Sequence, residues 1–258
     1  MKVVILCGGK GTRLREETEF KPKPLVDVGG MPIIWHIMKI YSHYGHKEFI
    51  LPLGYKGDMI KEFFVDFNWR ANDFTLNLAT KNLEVHPSHK NEDWDMHFVD
   101  TGLKSGTGLR LYKVKHMLRN DDPFMLTYGD GLSDVNINSL LDFHKQQNTI
   151  ATIAGVNVSS RFGVLETKEN KVIRFTEKPM NEDIINAGFM VFNKQVFDHL
   201  DGKDVMLEEA GSGLLPQLAE LGQVSVYHHP GFWHSMDTYR DYLKLNEFWE
   251  TDPKWKIW

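Results

Sequence analysis

The sequence has one cysteine, no long apolar run and no excess of positive charge. Cys7 is the single cysteine among 258 residues, which excludes an internal disulfide and a cysteine-rich zinc site. No segment approaches the ~18 uninterrupted apolar residues of a membrane-spanning helix, and the apolar start is too short for a signal peptide. The net charge of −5 lacks the basic excess of a general nucleic-acid binder. These absences predict a cytoplasmic protein without a membrane or nucleic-acid partner.

Internal repeats, low-complexity segments and flexible linkers are also absent, so residues 1–258 are predicted to form a single domain. In the first half, apolar strand patterns at 3–7, 49–53 and 124–128 alternate with helical patterns, one of which opens at Pro32. The second half is richer in short strands, at 150–156, 163–166, 172–175 and 187–192. This order predicts an α/β fold with one mixed sheet, a strand-rich C-terminal lobe, and ligands at the carboxyl ends of the parallel strands.

A glycine-rich loop follows the first predicted strand. Gly8, Gly9 and Gly11 let the backbone approach a ligand closely and point several N–H groups in one direction, which favours phosphate. The spacing is not that of a Walker loop, in which Ser or Thr directly follows Gly-Lys. It is not that of a dinucleotide fingerprint either, which needs a third glycine where Leu14 stands. A strand-to-helix turn without a ligand is the alternative interpretation of this segment.

Two cationic and two acidic positions are further candidates for a functional site. Lys21 and Lys23 alternate with prolines, which keep that stretch extended and stiff. Asp130 ends an apolar strand between two glycines, and Asp237 precedes the last predicted helix. The alternative interpretations are a tight turn for Asp130 and a helix N-cap for Asp237.

The pattern Gly-Gly-x-Gly-Thr-Arg-Leu, followed by Lys-Pro-Lys-Pro-Leu, resembles the signature of the sugar-phosphate nucleotidyltransferases. The resemblance implies a Rossmann-like three-layer fold with a nucleotide-binding half at 1–135 and a sugar-phosphate-binding half at 136–258. It also implies that Arg13 neutralises the departing pyrophosphate and that Lys23 contacts the reacting α-phosphate. Asp130 and Asp237 would hold Mg²⁺, which binds few carboxylates beside phosphate oxygens and water. The nucleotide-binding residues implied are Leu6, Cys7, Gly8, Gly9, Lys10, Gly11, Thr12, Arg13, Lys23, Ser105, Arg110 and Gly129.

Two later segments resemble the acceptor motifs of the same family. They read Phe-Thr-Glu-Lys-Pro at 175–179 and Asn-Ala-Gly-Phe at 186–189. The resemblance implies that Lys178 binds the phosphate of a sugar 1-phosphate and that Glu177 and Asn186 hydrogen-bond sugar hydroxyls. Gly188 would leave room for the sugar ring. The end of a strand is the alternative interpretation of Glu177 and Lys178.

The segment Ser-Gly-Thr-Gly-Leu-Arg at 105–110 stands where uridylyl and thymidylyl relatives carry Gln-Pro-x-Gly-Leu-Ala. Together with motifs at 35–39, 54–57, 99–102 and 230–233, it resembles the cytidylyltransferase branch that acts on glucose 1-phosphate. Ser105 and Arg110 match nucleotide-contacting positions of that branch. An exposed place on a helix is the alternative for Arg110.

The resemblance implies CTP and glucose 1-phosphate as substrates, CDP-glucose as product, and assembly into a homotrimer or homohexamer. The branch's Trp-Glu-x-Glu-Pro-Leu element is missing, because the sequence from 207 reads Leu-Glu-Glu-Ala-Gly-Ser. This departure lies towards the acceptor end of the chain and so concerns the sugar rather than the base. Another nucleotide, another sugar, or a catalytically silent ligand sensor are the alternatives.

Overall fold

The computed structural model describes residues 1–86, 92–159, 164–168, 171–176 and 180–258. Its first half contains β1 (Lys2–Leu6), α1 (Arg15–Thr18), β2 (Asp27–Val28), β3 (Met31–Pro32), α2 (Ile33–His43), β4 (Glu48–Leu53), α3 (Gly57–Val65), α4 (Phe67–Arg70), β5 (Asp73–Leu76), β6 (Leu83–His86), β7 (Asp95–Asp100), α5 (Thr107–Val114), β8 (Phe124–Tyr128) and β9 (Gly131–Ser133). The second half contains α6 (Ile137–Gln146), β10 (Ala151–Ser159), β11 (Val164–Lys168), β12 (Lys171–Thr176), β13 (Met180–Phe192), α7 (Leu214–Glu220), β14 (Val224–His228), β15 (Trp233–Ser235) and α8 (Tyr239–Thr251).

A seven-stranded sheet with the order β14-β10-β13-β8-β1-β4-β7 forms the centre of the molecule. β1 pairs in parallel with β4 and β8, and β4 pairs in parallel with β7. β13 is antiparallel to both β8 and β10, while β10 and β14 are parallel. The predicted α/β fold with a mixed central sheet is therefore confirmed. Strand β13 joins the strands of the two halves into one sheet.

Helices cover both faces of the sheet at its centre. Successive side chains of a strand point to opposite sides, so β1 contributes to both layers of the core. Val3 and Ile5 of β1 pack with α2, α6 and α8, whereas Val4 and Leu6 pack with α5 and α7 on the other face. The result is three layers, helix–sheet–helix. Each fully buried aliphatic side chain of this kind contributes ~1.5–3 kcal/mol to folding. No helix in the described ranges is long and apolar enough to cross a membrane.

The sequence pattern identified some of the strands and missed others. Of the strands that the sequence did predict, 124–128 coincides with β8, and 49–53 falls within β4. The hairpin of β5 and β6 and the edge strand β7 were not predicted. β7 reads Asp-Met-His-Phe-Val-Asp, and none of its side chains is fully buried. An edge strand with exposed side chains lacks the continuous apolar run that marks a buried parallel strand.

His36 anchors the C-terminal segment to α2 inside a group of aromatic rings. Its ring is fully buried and lies edge-on to Trp249 and Trp255. Nε2 lies 2.8 Å from the Val28 carbonyl oxygen, and Trp255 Nε1 donates to Nδ1 at 3.3 Å. These contacts suit the neutral ring that donates from Nε2 and accepts at Nδ1. Burial lowers the pKa of His36 to about 4, against the opposing effect of its backbone hydrogen bonds.

Candidate active site

The glycine-rich loop connects β1 to α1 and forms one wall of a cavity of about 480 Å³. Gly11 has φ +64°, a conformation that favours glycine, and a Cβ there would lie 2.8 Å from Thr18 Cγ2. The loop closes on itself because Thr18 Oγ1 and the Leu14 N–H both donate to the Gly11 carbonyl. The predicted nucleotide-binding residues all line this cavity: Leu6, Cys7, Gly8, Gly9, Lys10, Gly11, Thr12, Arg13, Lys23, Ser105, Arg110 and Gly129.

Arg110 holds three strand ends together beneath this cavity. Its side chain is 3% exposed, so the alternative of an exposed place on a helix is wrong. Nη1 donates to the Leu53 carbonyl at 2.8 Å and to Thr101 Oγ1 at 2.6 Å, and Nη2 donates to the Gly8 carbonyl at 3.1 Å. Burial lowers the pKa of Arg110, partly offset by neighbouring acidic groups. The guanidinium therefore links the carboxyl ends of β1, β4 and β7 at the cavity.

A compact group of two cations and two carboxylates lies between the glycine-rich loop and the second half of the chain. Lys23 Nζ donates to Asp130 Oδ2 at 2.6 Å and to Asp237 Oδ1 at 2.9 Å. Arg13 Nη2 lies 3.0 Å from the same Asp237 oxygen. The Lys23 side chain is only 12% exposed, whereas Arg13 is largely exposed. The structure thus brings together all four residues that the sequence assigned to catalysis and to the metal.

Charge pairing decides the protonation states in this group. Burial alone would lower the pKa of Lys23, but contacts with Asp130 and Asp237 outweigh it and raise the pKa. Burial would raise the pKa of Asp237, but Lys23 and Arg13 outweigh it and lower the pKa. Both residues are therefore charged at neutral pH.

The donor set fits Mg²⁺. Asp130 and Asp237 both place an oxygen within hydrogen-bond distance of one nitrogen, so a single cation can lie between them. Magnesium is usually held by one or two carboxylates and takes its other ligands from phosphates and water. Within the described residues there is no cluster of three or more His, Cys, Asp or Glu side chains that could hold a metal by themselves. This arrangement suits an ion that binds together with a phosphate ligand.

Local backbone pairing positions both aspartates. Asp130 lies in the turn between β8 and β9, so the tight turn suggested by the sequence is present and also presents its carboxylate. β9 pairs with β15, and the Met236 N–H donates to the Asp130 carbonyl at 2.8 Å. The N-cap of α8 is Thr238, which forms a capping box with Asp241. The N-cap alternative for Asp237 is therefore wrong, and its carboxylate contacts Lys23 instead.

A second cavity, of about 280 Å³, adjoins the first. Arg13, Tyr128 and Asp130 line both cavities. The remaining lining residues of the second are Thr127, Gly131, Asn186, Ala187, Gly188, Glu208, Trp233, Ser235 and Asp237. The cation–carboxylate group therefore lies where the two cavities meet.

An irregularity in β13 shapes the second cavity. The pairing of β10 with β13 shifts register near Gly188, which has φ +83°. Asn186 Oδ1 accepts the Gly188 N–H at 2.7 Å, and Trp233 Nε1 donates to the Ala187 carbonyl at 2.7 Å. A Cβ on Gly188 would lie 2.8 Å from the Tyr128 ring. Glycine is required here because of both the backbone conformation and the ring beside it.

Of the four residues that the sequence assigned to the acceptor, two line the second cavity. These are Asn186 and Gly188. Glu177 and Lys178 lie outside the described residues. The roles of all four remain predictions.

Sequence reasoning missed Glu208 as a site residue, although the segment around it was noted as a departure from the cytidylyl pattern. Glu208 lines the second cavity, and desolvation raises the pKa of its carboxyl group. Its neighbour Leu207 is fully buried, and the Leu207 N–H donates to Thr107 Oγ1 at 2.7 Å. No catalytic pattern in the sequence marks this position, because tertiary contacts with α5 and α7 bring the loop to the cavity.

Cys7 has no exposed thiol. It is 1% exposed, its Sγ lies 3.2 Å from the Ile5 carbonyl, and burial raises its pKa. It is therefore a small buried residue directly after β1.

The fold and the site together combine a three-layer α/β domain with two adjoining cavities that share a cation–carboxylate group. The chain belongs to the nucleotidyl transferase family, whose model matches residues 2–252. The predicted family resemblance is thereby confirmed. It also extends to individual relatives.

A glucose-1-phosphate cytidylyltransferase from Salmonella typhimurium is 44% identical over the full length of both chains. A mannose-1-phosphate guanylyltransferase from Mycobacterium tuberculosis is 31% identical over 93% of this chain and 62% of its own. Among solved structures, HddC from Yersinia pseudotuberculosis superposes with a TM-score of 0.67 at 22% identity, covering 96% of this chain and 99% of its own. The last comparison supports the fold.

Proposed function

We propose that this protein transfers a cytidylyl group from CTP to α-D-glucose 1-phosphate, forming CDP-glucose and pyrophosphate. The observation that carries the proposal is the junction of the two cavities at Arg13, Tyr128 and Asp130. A triphosphate beside the glycine-rich loop and a sugar phosphate in the second cavity would meet at that junction. The 44% identity to a glucose-1-phosphate cytidylyltransferase over full length supports this substrate pair.

The reaction needs no covalent enzyme intermediate. A phosphate oxygen of glucose 1-phosphate attacks the α-phosphorus of CTP, and the bond from that phosphorus to the departing pyrophosphate breaks. The main obstacle is repulsion between two polyanions, since each like-charge pair at ~4 Å costs about 4 kcal/mol at an effective dielectric constant of ~20. Lys23 and Arg13 lie at the cavity junction and offset that repulsion, and Lys178 is expected to do so on the acceptor side.

Asp130 and Asp237 would hold Mg²⁺. When bound, the ion would neutralise charge on the phosphate oxygens and help to orient them. The protein itself supplies the fixed carboxylates, through the pairing of β9 with β15. It also supplies the rigid phosphate loop through the contacts of Gly11 with Thr18 and Leu14.

We propose that Arg110, together with Ser105, recognises the base of the nucleotide. Three of the five guanidinium N–H groups donate to Leu53, Thr101 and Gly8, which leaves two without an acceptor among the described residues. Cytosine presents O2 and N3 as adjacent acceptors, whereas uracil carries a donor at N3. A guanidinium at this place would favour CTP and oppose UTP through a clash of donors.

The acceptor side is proposed to include Asn186, Gly188 and Glu208 besides Glu177 and Lys178. A carboxylate oxygen accepts hydrogen bonds, and so Glu208 suits sugar hydroxyls rather than phosphate. Its backbone is held from both sides, because the Leu207 N–H donates to Thr107 and the Gly213 N–H donates to the Glu209 carbonyl. These hydrogen bonds hold the backbone on both sides of Glu208 and so restrict where its side chain can lie in the cavity.

The experiment is a matrix of CTP, UTP, GTP, ATP and dTTP against glucose, galactose and mannose 1-phosphates, following pyrophosphate release. We expect kcat/KM for CTP with glucose 1-phosphate to exceed every other pair by about tenfold or more, a difference of ~1.4 kcal/mol in transition-state stabilisation. A preference for another pair would change the proposed substrates, whereas the proposed nucleotidyl transfer would stand. Ligand binding without turnover in any pair would indicate a silent sensor.

A further inference from the structure

Lys23 occupies the space between the two carboxylates that the proposed function assigns to the metal. Its ammonium nitrogen is 2.6 Å from an Asp130 oxygen and 2.9 Å from an Asp237 oxygen. Arg13 contacts the same Asp237 oxygen at 3.0 Å. Two positive charges therefore balance two negative charges before any ligand binds.

We propose that Lys23 is an internal counter-ion that competes with Mg²⁺ for Asp130 and Asp237, so that metal and nucleotide bind cooperatively. This inference rests on the proposed metal assignment. A divalent ion added between the carboxylates would lie beside the Lys23 ammonium, and like charges at such distances repel strongly in a partly buried site. A triphosphate offers Lys23 and Arg13 alternative anionic partners, and so removes the competition. By linkage, the metal must then strengthen nucleotide binding by the same factor.

Lys23 can make this exchange without a change in the backbone. The residue begins a short 3-10 turn, Lys23–Leu25, flanked by Pro22 and Pro24, and its carbonyl accepts the Val26 N–H at 3.0 Å. Leu25 is buried, so the turn is anchored to the core. The long side chain already lines the first cavity, and rotation about its own bonds moves the ammonium from the carboxylates towards a phosphate there.

The test is the affinity of the nucleotide-free protein for Mn²⁺, a magnesium substitute, measured from the electron paramagnetic resonance signal of the free ion. We expect Lys23→Met to bind Mn²⁺ at least tenfold more tightly than wild type, which is ~1.4 kcal/mol. Lys23→Arg retains the cation and should stay near wild type. Lys21→Met is the matched control, because Lys21 pairs with Glu17 and Asp27 away from the metal carboxylates.

Two further variants locate the bound ion. They also distinguish a failure of the proposed competition from a failure of the metal assignment. Adding Asp237→Asn to Lys23→Met should abolish the gain in affinity, and Lys23→Gln should reproduce the gain if the methionine variant folds poorly. Equal Mn²⁺ affinities of wild type, Lys23→Met and Lys23→Gln, all of them sensitive to Asp237→Asn, would overturn the competition and leave the metal assignment intact. Binding that is insensitive to Asp237→Asn in every background would overturn the metal assignment and the competition with it.

Discussion

Replacement of Gly8 by alanine tests whether the buried guanidinium of Arg110 supports the nucleotide loop. A Cβ on Gly8 would lie 2.0 Å from Arg110 Cζ and 2.2 Å from Nη1, distances that real atoms do not reach. Arg110 must therefore move in Gly8→Ala. Its hydrogen bonds to Leu53, Thr101 and the Gly8 carbonyl would then lengthen or break.

The size of the effect follows from these three contacts. A hydrogen bond to a charged group contributes ~1.5–3 kcal/mol, and a buried acceptor left unpaired carries a comparable penalty. The contributions do not add in full, because the displaced guanidinium can regain water in the adjoining cavity. We expect Gly8→Ala to lower the free energy of unfolding by about 3 kcal/mol, measured by urea denaturation with an unchanged m-value.

Gly9→Ala is the matched control within the same loop. A Cβ on Gly9 would meet no atom within 4 Å, and its φ is not positive. Alanine at a compatible position leaves stability unchanged or raises it by up to ~1 kcal/mol. Both variants add one methyl group beside the same cavity, so any general effect of crowding is shared. Equal unfolding free energies for Gly8→Ala and Gly9→Ala would refute the supporting role of Arg110.

Two other predictions concern the acceptor cavity and the aromatic group at the C-terminus. Glu208→Gln should raise the KM for glucose 1-phosphate about tenfold, as expected for a lost charge-assisted hydrogen bond, with little change in the KM for CTP. Glu209→Gln does not touch the cavity and should resemble wild type; an equal effect of both variants would exclude Glu208 from the sugar site. For His36, the folded pKa of about 4 lies below the ordinary value of 6.5, so the unfolded state binds the proton more readily between these values. Stability is therefore lost as pH falls from 6.5 to 4, by up to about 3 kcal/mol from this residue. Urea unfolding at pH 7 and pH 4 should show a smaller loss of unfolding free energy for His36→Gln than for wild type. Identical losses would contradict the conclusion that buried, neutral His36 makes stability depend on pH.

Much of the fold could be predicted from the sequence because the buried strands and amphipathic helices have strong local patterns. The strand at 124–128 was predicted with its observed bounds, and the helix predicted to open at Pro32 begins at Ile33. The hairpin of β5 and β6 and the strand β7 were missed, because their side chains are exposed or only partly buried. Exposure is not the whole reason, because the strand predicted at 172–175 lies within β12, which is also largely exposed but carries the strand-forming residues Val172, Ile173 and Phe175.

The sequence by itself determined which segments could bind phosphate, since glycine freedom and proline stiffness are properties of neighbouring residues. Only the tertiary structure decided which charged groups meet. Lys23 lies 107 positions from Asp130 and 214 from Asp237, yet it contacts both. Arg110 is buried rather than exposed, and Glu208 reaches a cavity that no motif assigned to it. These contacts depend on the order of strands in the sheet and on the docking of loops against it. Neither the strand order nor the docking of the loops can be read from the spacing of residues along the chain.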